Sequence, residues 1–241
     1  MMLHEEIEAY ILDQITGKAL LPGDQIPTEA ALAEQFHASR PTVRQALERL
    51  KNQGYLVRRK GRGSFVTLPK VRHESTSFVA GYRQECEKKH QTLITRVLAQ
   101  ALVPADADTA GALGLREKAK VVCLTRLRLL GGAAGLQTPR PVVYTTVYVP
   151  QKGFEFLLTT DFAESSFYDT MAGHGAKVTR ASRRLEVRMP PEEVARALKL
   201  GPFEPAIYIT SIGRTAGGAA VEYAVSYYPA SSSEFLIEVN Q

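Results

Sequence analysis

The sequence predicts an α+β protein in two parts, a winged helix-turn-helix followed by a larger domain built on an antiparallel sheet. Three observations predict it. Residues 22–66, PGDQIPTEAALAEQFHASRPTVRQALERLKNQGYLVRRKGRGSFV, carry the signals of a short helix, a turn, a second helix and a glycine-tipped hairpin in that order. Charge is sorted along the same stretch. Arg40 to Arg62 holds eight basic residues against the single acid Glu48, whereas Met1 to Ser39 holds only Lys18 against seven acids. Beyond residue 76 the pattern changes to strand-like runs in succession with helices between them, which is the mark of an antiparallel α+β domain.

Length and composition set the frame. At 241 residues the chain suits one large domain or two modest ones. With 44% hydrophobic and 23% charged residues it can build a core without staples, which excludes wholesale disorder. A net charge of +5 is compatible with a nucleic-acid partner, but the clustering of that charge carries the argument. Cys86 and Cys123 show no CxxC or Cys/His ligand spacing, and the start is not signal-like, so free thiols and a cytoplasmic location are expected. No apolar run reaches the ~20 residues that span a bilayer, so no membrane partner is expected.

The first helix is predicted over Leu3–Thr16, where Leu3, Ile7, Ile11 and Ile15 recur every fourth position and Glu5, Glu6, Glu8 and Asp13 are expected to face water. Gly17 ends it and Leu20–Asp24 is a turn. Thr28 caps a second helix running to about Phe36, and His37-Ala38 makes the turn. Ser39 caps a third helix, which tolerates Pro41 in its first turn. Val43, Ala46, Leu47 and Leu50 form its core stripe, while Arg40, Thr42, Arg44, Gln45 and Arg49 lie off it. Gly54 closes the helix, strands come next at Leu56–Arg59 and Ser64–Thr67, and Gly61-Arg62-Gly63 forms the tip between them. The first domain is thus residues 1–67.

Residues 68–75 (LPKVRHES) lack apolar periodicity and read as a linker, leaving 76–241 as the second domain. Strands are predicted there at Leu93–Pro104, Val121–Leu130, Val142–Val149, Leu185–Met189, Ala206–Thr215, Val221–Tyr228 and Phe235–Val239. Helices are predicted at Phe78–His90, Asp106–Leu113, Ser166–His174 and Pro191–Leu200. This domain contains a repeat. Pro104, Ala112-Leu113-Gly114-Leu115, Val122, Leu124 and Arg126 recur as Pro190, Ala197-Leu198-Lys199-Leu200, Ile207, Ile209 and Ser211, with the same separation from Leu115 to Leu200 as from Arg126 to Ser211. Two copies of one unit predict a pseudo-twofold sheet with a cleft between its halves.

At a helix-turn-helix the start of the second helix reaches base edges while phosphate contacts hold register. Arg40 and Arg44 stand one turn apart, so both can point into a major groove. Ser39 and Thr42 suit phosphate oxygens at the helix N-terminus, and Arg62 between its glycines is placed to enter a minor groove. A solvated basic face is the plain alternative, and a winged helix used only for protein contacts is another. The full order of caps, turn and tip favours DNA.

These residues also resemble a known family. PGDQIPTE, LAEQF, SRPTVRQALERLKNQGYL and RRKGRGSFV are similar to the GntR family of bacterial transcription regulators, over nearly all of residues 5–67. The chain beyond the linker resembles the UTRA ligand-binding domain of that family's HutC branch, which has a chorismate-lyase-like fold. That likeness is carried by Thr76-Ser77-Phe78, Ala112–Leu115, Arg126-Leu127-Arg128, Tyr148-Val149-Pro150, Ser166-Phe167-Tyr168 and Val221-Glu222-Tyr223. The resemblance implies a homodimeric repressor on a palindromic double-stranded DNA operator, whose affinity a small metabolite lowers. The DNA contacts it implies are Ser39, Arg40, Thr42, Arg44, Gly61 and Arg62, and Arg49 joins them as a basic residue of the same helix. One usual arginine of the family is replaced here by Ala30.

In the second domain Arg126 and Arg128 alternate on one strand and share a side, so a common anion accounts for their proximity. The alternative is that each pairs with a carboxylate such as Glu186 or Glu222. The resemblance adds Ser77, Phe78, Ser166, Tyr168, Glu222 and Tyr228 to an effector site. The usual mid-strand carboxylate is here Thr145, and EYAVSYYPASSSEFLIE is similar to phosphonate-linked members of the branch, so a phosphorylated sugar or a phosphonate is the favoured effector class. No cofactor or metal is expected. His4, His37, His73, His90 and His174 are scattered without HExxH or paired carboxylates, and no acid–base pair stands out. The shared fold leaves one alternative, a lyase-like small-molecule enzyme domain carrying a DNA-binding head.

Overall fold

The structure, a computed structural model, describes residues 2–17, 19–67, 69–74, 86, 92–131 and 139–237. The chain divides at Val71 into two compact units. In the first, α1 spans Leu3–Thr16 as its periodicity requires, burying Ile7, Ile11, Leu12 and Ile15. The Gly17 N–H donates to Asp13 O at the end of that helix. α2 (Glu29–Gln35) begins where Thr28 Oγ1 accepts the Ala31 N–H at 3.2 Å. α3 (Arg40–Asn52) begins where Ser39 Oγ accepts the Thr42 N–H at 3.3 Å, with Pro41 in its first turn. Its stripe Val43, Ala46, Leu47 and Leu50 joins Ile7, Ile11 and Leu32 in one core. Each of these Val, Leu and Ile side chains, once fully buried, contributes about 1.5–3 kcal/mol.

The wing comes next as β1 (Leu56–Arg59) and β2 (Gly63–Val66), antiparallel with Leu56 opposite Val66. The second strand starts one residue earlier than expected, because Gly63 already pairs with Arg59. Gln25 adds an isolated bridge to Phe65.

The second unit holds a six-stranded antiparallel sheet of β4 (Leu93–Pro104), β5 (Lys120–Leu130), β6 (Arg140–Pro150), β7 (Val178–Arg188), β8 (Ala206–Thr215) and β9 (Ala220–Pro229). Their order is β4-β5-β6-β9-β8-β7, which reads as one three-stranded half beside its inverted copy. The repeat therefore predicts the sheet correctly. Register locates the pseudo-twofold axis: Arg126 lies opposite Thr145, Ser211 opposite Ala224, and the equivalent pair one step on, Thr146 and Val225, face each other at the β6–β9 seam.

Helices α4 (Ala107–Leu113) and α6 (Glu192–Leu198) cover one face of the sheet. Each packs on the seam strand of the opposite half, α4 on β9 and α6 on β6. Tyr148 and Tyr223 meet the α4 side and Tyr144 and Tyr227 the α6 side. The other face carries Val122, Leu124, Val147 and Ala224, packed under Phe162 and under Phe167 and Met171 of α5 (Phe167–Gly173).

Three expectations change. The strand expected at Leu185–Met189 is the eleven-residue β7, whose first half is too polar and basic to show an apolar alternation. The strand expected at Phe235–Val239 is β10 (Ser233–Leu236). The stretch read as a linker contains a strand, β3 (Val71–Glu74), which pairs with β10. Its buried His73 stacks on Phe235 with ring centroids 4.7 Å apart and meets Tyr228 edge-on at 4.8 Å. Four residues are too few for periodicity, and a histidine reads as polar. Of the helix expected at Phe78–His90, only Cys86, helical and buried, is among the described residues.

Candidate functional site

In the first unit the structure brings most of the predicted DNA-facing residues to one end of α3 and the wing. Ser39 and Thr42 stand at the start of α3, their hydroxyls 2.8 Å apart, and Arg40 is exposed beside them. Arg44, also exposed, donates from Nε to Glu29 Oε2 at 2.8 Å, while Arg58 Nη2 donates to Glu29 Oε1 at 3.3 Å. Glu29 thus fixes one basic group from the recognition helix and one from the wing. These pairs are exposed, so each is worth under about 1 kcal/mol, and their effect is on orientation. Between α3 and the wing lies a groove of about 430 Å³ lined by Glu29, Arg44, Gln45, Lys51 and Arg58.

The wing tip is built for close approach. Gly61 and Gly63 have φ of +72° and +99°, open to glycine and strained for other residues. Gln25 Nε2 donates to the Arg62 carbonyl at 3.0 Å, and a Cβ on Gly63 would stand 2.7 Å from that nitrogen. Gln25, absent from the sequence-derived set, therefore holds the loop that presents Arg62. Arg49 is placed elsewhere. Its Nε lies 3.0 Å from Glu8 Oε2 and its Nη1 3.0 Å from His4 Nε2, so it ties α3 to α1 on the flank away from Arg44.

In the second unit Arg126, Arg128, Tyr168, Glu222 and Tyr228 come together on the α5-covered face. Arg126 is only 3% exposed, its guanidinium 5.4 Å from the Phe167 ring centroid and 5.7 Å from that of Phe162. Cation–π contact partly offsets the cost of burying the charge. Its neighbour across the strands is Thr145, whose hydroxyl is engaged with Ser226 at 3.0 Å. Glu222 is 2% exposed, and Tyr168 Oη donates to its Oε1 at 2.9 Å. Its Oε2 is buried without a hydrogen-bond partner and occupies the space a Cβ on Gly213 would need, at 2.7 Å. Burial raises the Glu222 pKa, opposed by the Tyr168 hydrogen bond and by the charges of Arg183, Arg126 and Arg128. Burial, followed by the Glu222 charge, raises Tyr168 well above the usual tyrosine range, so it stays a donor.

Ser166 caps α5 by accepting the Asp169 N–H at 3.3 Å, next to Tyr168. Tyr228 packs edge-on against Phe235 at 4.9 Å as well as against His73. Ser77 and Phe78 lie outside the described residues. Glu186, offered as a partner for the arginines, is bound by Arg188 instead. Two further residues of this face were not expected from the sequence. Arg183 on β7 faces Ser211 on β8, and its pKa is lowered by burial and raised again by Tyr168, Tyr228 and Glu222. Ser211 is 7% exposed, with a buried hydroxyl oxygen that has no hydrogen-bond partner. The repeat held the signal: Leu93, where β4 starts, carried forward by the separation of Leu115 from Leu200, lands on Val178, where β7 starts.

A head of this shape beside a duplicated antiparallel sheet defines a class, the two-domain winged-helix regulators. Residues 3–66 match the family described as bacterial regulatory proteins, gntR family, and residues 88–234 match the UTRA domain. The chain belongs to the GntR family of bacterial transcription regulators, in the group that carries a UTRA domain. It is 29% identical over 229 residues to the HTH-type transcriptional repressor NagR of Bacillus subtilis (strain 168), covering 94% of this chain and 90% of that protein. It is 25% identical over 235 residues to the mannosyl-D-glycerate transport/metabolism system repressor MngR of Escherichia coli (strain K12), covering 98% and 95%. The crystal structure of PhnF from Mycobacterium smegmatis is similar with a TM-score of 0.67 at 26% identity, covering 99% of each chain. These relatives are transcription regulators, and the fold found is the one the resemblance implied. No helix of the described residues is long and apolar enough to cross a membrane.

Proposed function

We propose that the chain is a homodimeric repressor that leaves a palindromic operator when a small anionic metabolite, of the phosphorylated-sugar or phosphonate class, binds its second domain. Residues 1–67 are the DNA-binding head and 76–241 the effector and dimerisation domain. Ser39, Arg40, Thr42, Arg44, Gly61 and Arg62 meet DNA, with Glu29 and Gln25 holding Arg44 and the tip. Arg126, Arg128, Ser166, Tyr168, Glu222 and Tyr228 take the effector, with Ser77 and Phe78 as further members. A relative named for a mannosyl-D-glycerate transport/metabolism system, MngR, supports a small metabolite as the effector.

The observation that carries the reading is Arg126. A cation buried beside a contacting pair of aromatic rings, with the uncharged Thr145 opposite it on the next strand, presents a field suited to a small anion at close range. Since dimer half-sites lie about one turn of DNA, ~34 Å, apart, a modest change in head spacing breaks simultaneous engagement. By linkage the effector then binds the DNA-free arrangement more tightly.

Fluorescence anisotropy on duplex from the chain's own promoter tests both halves. Arg40→Ala and Arg44→Ala are each expected to weaken binding by about 1–3 kcal/mol where the arginine reads a base, or to flatten the salt slope by ~1 where it meets a phosphate. Arg126→Gln is expected to bind DNA normally and to ignore anions that release the unaltered protein. Full operator affinity and an unchanged salt slope in both head variants would refute the DNA face; release that survives Arg126→Gln would refute the anion site.

A further inference from the structure

The α5-covered face holds more than the Arg126–Arg128 pair needs. Across the sheet from them stands Arg183, on the far strand β7, directly opposite Ser211. Ser211 is the repeat equivalent of Arg126, so in the second half the cation has moved one strand outward and a hydroxyl occupies its old position. Glu222 stands on β9, a strand between those that carry the two basic groups, and both its carboxylate and the Tyr168 hydroxyl that donates to it feel the charges of Arg126 and of Arg183. Four strand spacings separate β5 from β7, roughly 19 Å between backbones. An arginine side chain is long enough to extend over its neighbouring strand, so a small metabolite can span the remainder.

Two deeply buried polar atoms on this face lack a hydrogen-bond partner, Glu222 Oε2 and Ser211 Oγ. Such atoms cost about 1–3 kcal/mol each when left unmet, so their pairing on one face calls for a ligand. They lie on the same face of the β8–β9 ladder with one residue pair between them, and Gly213 opposite Glu222 makes the room that the carboxylate occupies. Glu222 Oε2 accepts only from a donor, which a hydroxyl or amine in the middle of a ligand supplies. Ser211 Oγ can donate to an anion held by Arg183.

We infer that the effector carries two separated anionic ends, one seated at Arg126 and Arg128 and the other at Arg183 with the Ser211 hydroxyl. This rests on the reading of the face as the effector site. The class it selects is a small molecule with a phosphate or phosphonate at one end, a carboxylate at the other and a hydrogen-bond donor between.

Pairs of ω-carboxyalkylphosphonates and alkylphosphonates of matched and increasing chain length, read by thermal shift on the full chain, separate the possibilities. At one length or more the carboxylated member is expected to raise the melting temperature above its twin. Arg183→Gln is expected to erase that advantage and leave the alkylphosphonate shift in place, whereas Arg126→Gln removes both. Melting of each ligand-free variant by far-UV circular dichroism confirms that it is folded, and Arg183→Lys, which keeps the charge, is expected to retain part of the advantage. Twins that stabilise equally at every length, or an advantage that survives Arg183→Gln, overturn the second anion seat and leave the first intact. Absence of any shift, with inorganic phosphate also silent, overturns the anion site as a whole.

Discussion

Glu222 occupies a position where an ionised carboxylate is expensive, and the surroundings meet that cost only in part. Tyr168 donates to one oxygen, and three arginines act on the charge from a distance. Burial still dominates, so the pKa in the folded protein lies above its unfolded value. The native state therefore holds this proton more tightly than the unfolded chain does. Its stabilising contribution is complete below the ordinary glutamate range and is lost as pH rises through the elevated native value. Melting temperatures of effector-free protein across that window should fall more steeply with pH for the unaltered chain than for Glu222→Gln. Parallel curves would show that the residue is not strained by its burial.

At the scale of elements, Ser39 serves two ends that can be separated. Its hydroxyl caps α3, and its place at the head of that helix puts it near the proposed DNA backbone. Ser39→Ala should lower the urea midpoint of the helical signal by the equivalent of about 1 kcal/mol. Ser39→Asp, a good cap with the wrong charge, should keep the midpoint and still weaken operator binding. An alanine variant with an unchanged midpoint would show that the cap contributes nothing. The ends of α1, α2 and α3 were legible in the sequence because caps, Pro41 and the closing glycines act locally. The basic half of β7 was not, because an edge strand with polar alternate positions offers no apolar pattern to read. The site divides the same way. Arg126 and Arg128 announce themselves as neighbours on one strand, whereas Arg183 and Ser211 become partners only through a register set by the whole sheet. Arg49 shows the opposite case, since its charge and helix were visible but its partner on α1 was forty-one positions away in Glu8.

For the whole molecule, β7 is an outer strand of the sheet, and Leu185 and Val187 on it and Met189 just past its end are exposed, Val187 at 65%. An apolar edge of this kind invites pairing with a second copy and supports the homodimer proposed above. Leu185→Glu with Val187→Glu should shift the mass measured by light scattering from dimer to monomer and weaken operator binding through the loss of the second half-site. A dimer that persists in the double variant would move the interface off this edge.

The duplicated sheet has one more consequence. Had the two halves kept the same residues at equivalent positions, Arg126 and Ser211 among them, the face across the seam of β6 and β9 would be the same read from either end. A molecule could then lie in it head first or tail first with equal ease. Divergence at pairs such as this one gives the face a direction: a guanidinium stands deep on one side, and a hydroxyl backed by an outlying arginine on the other. The backbone keeps its symmetry while the side chains abandon it, so a bound molecule has a single preferred heading.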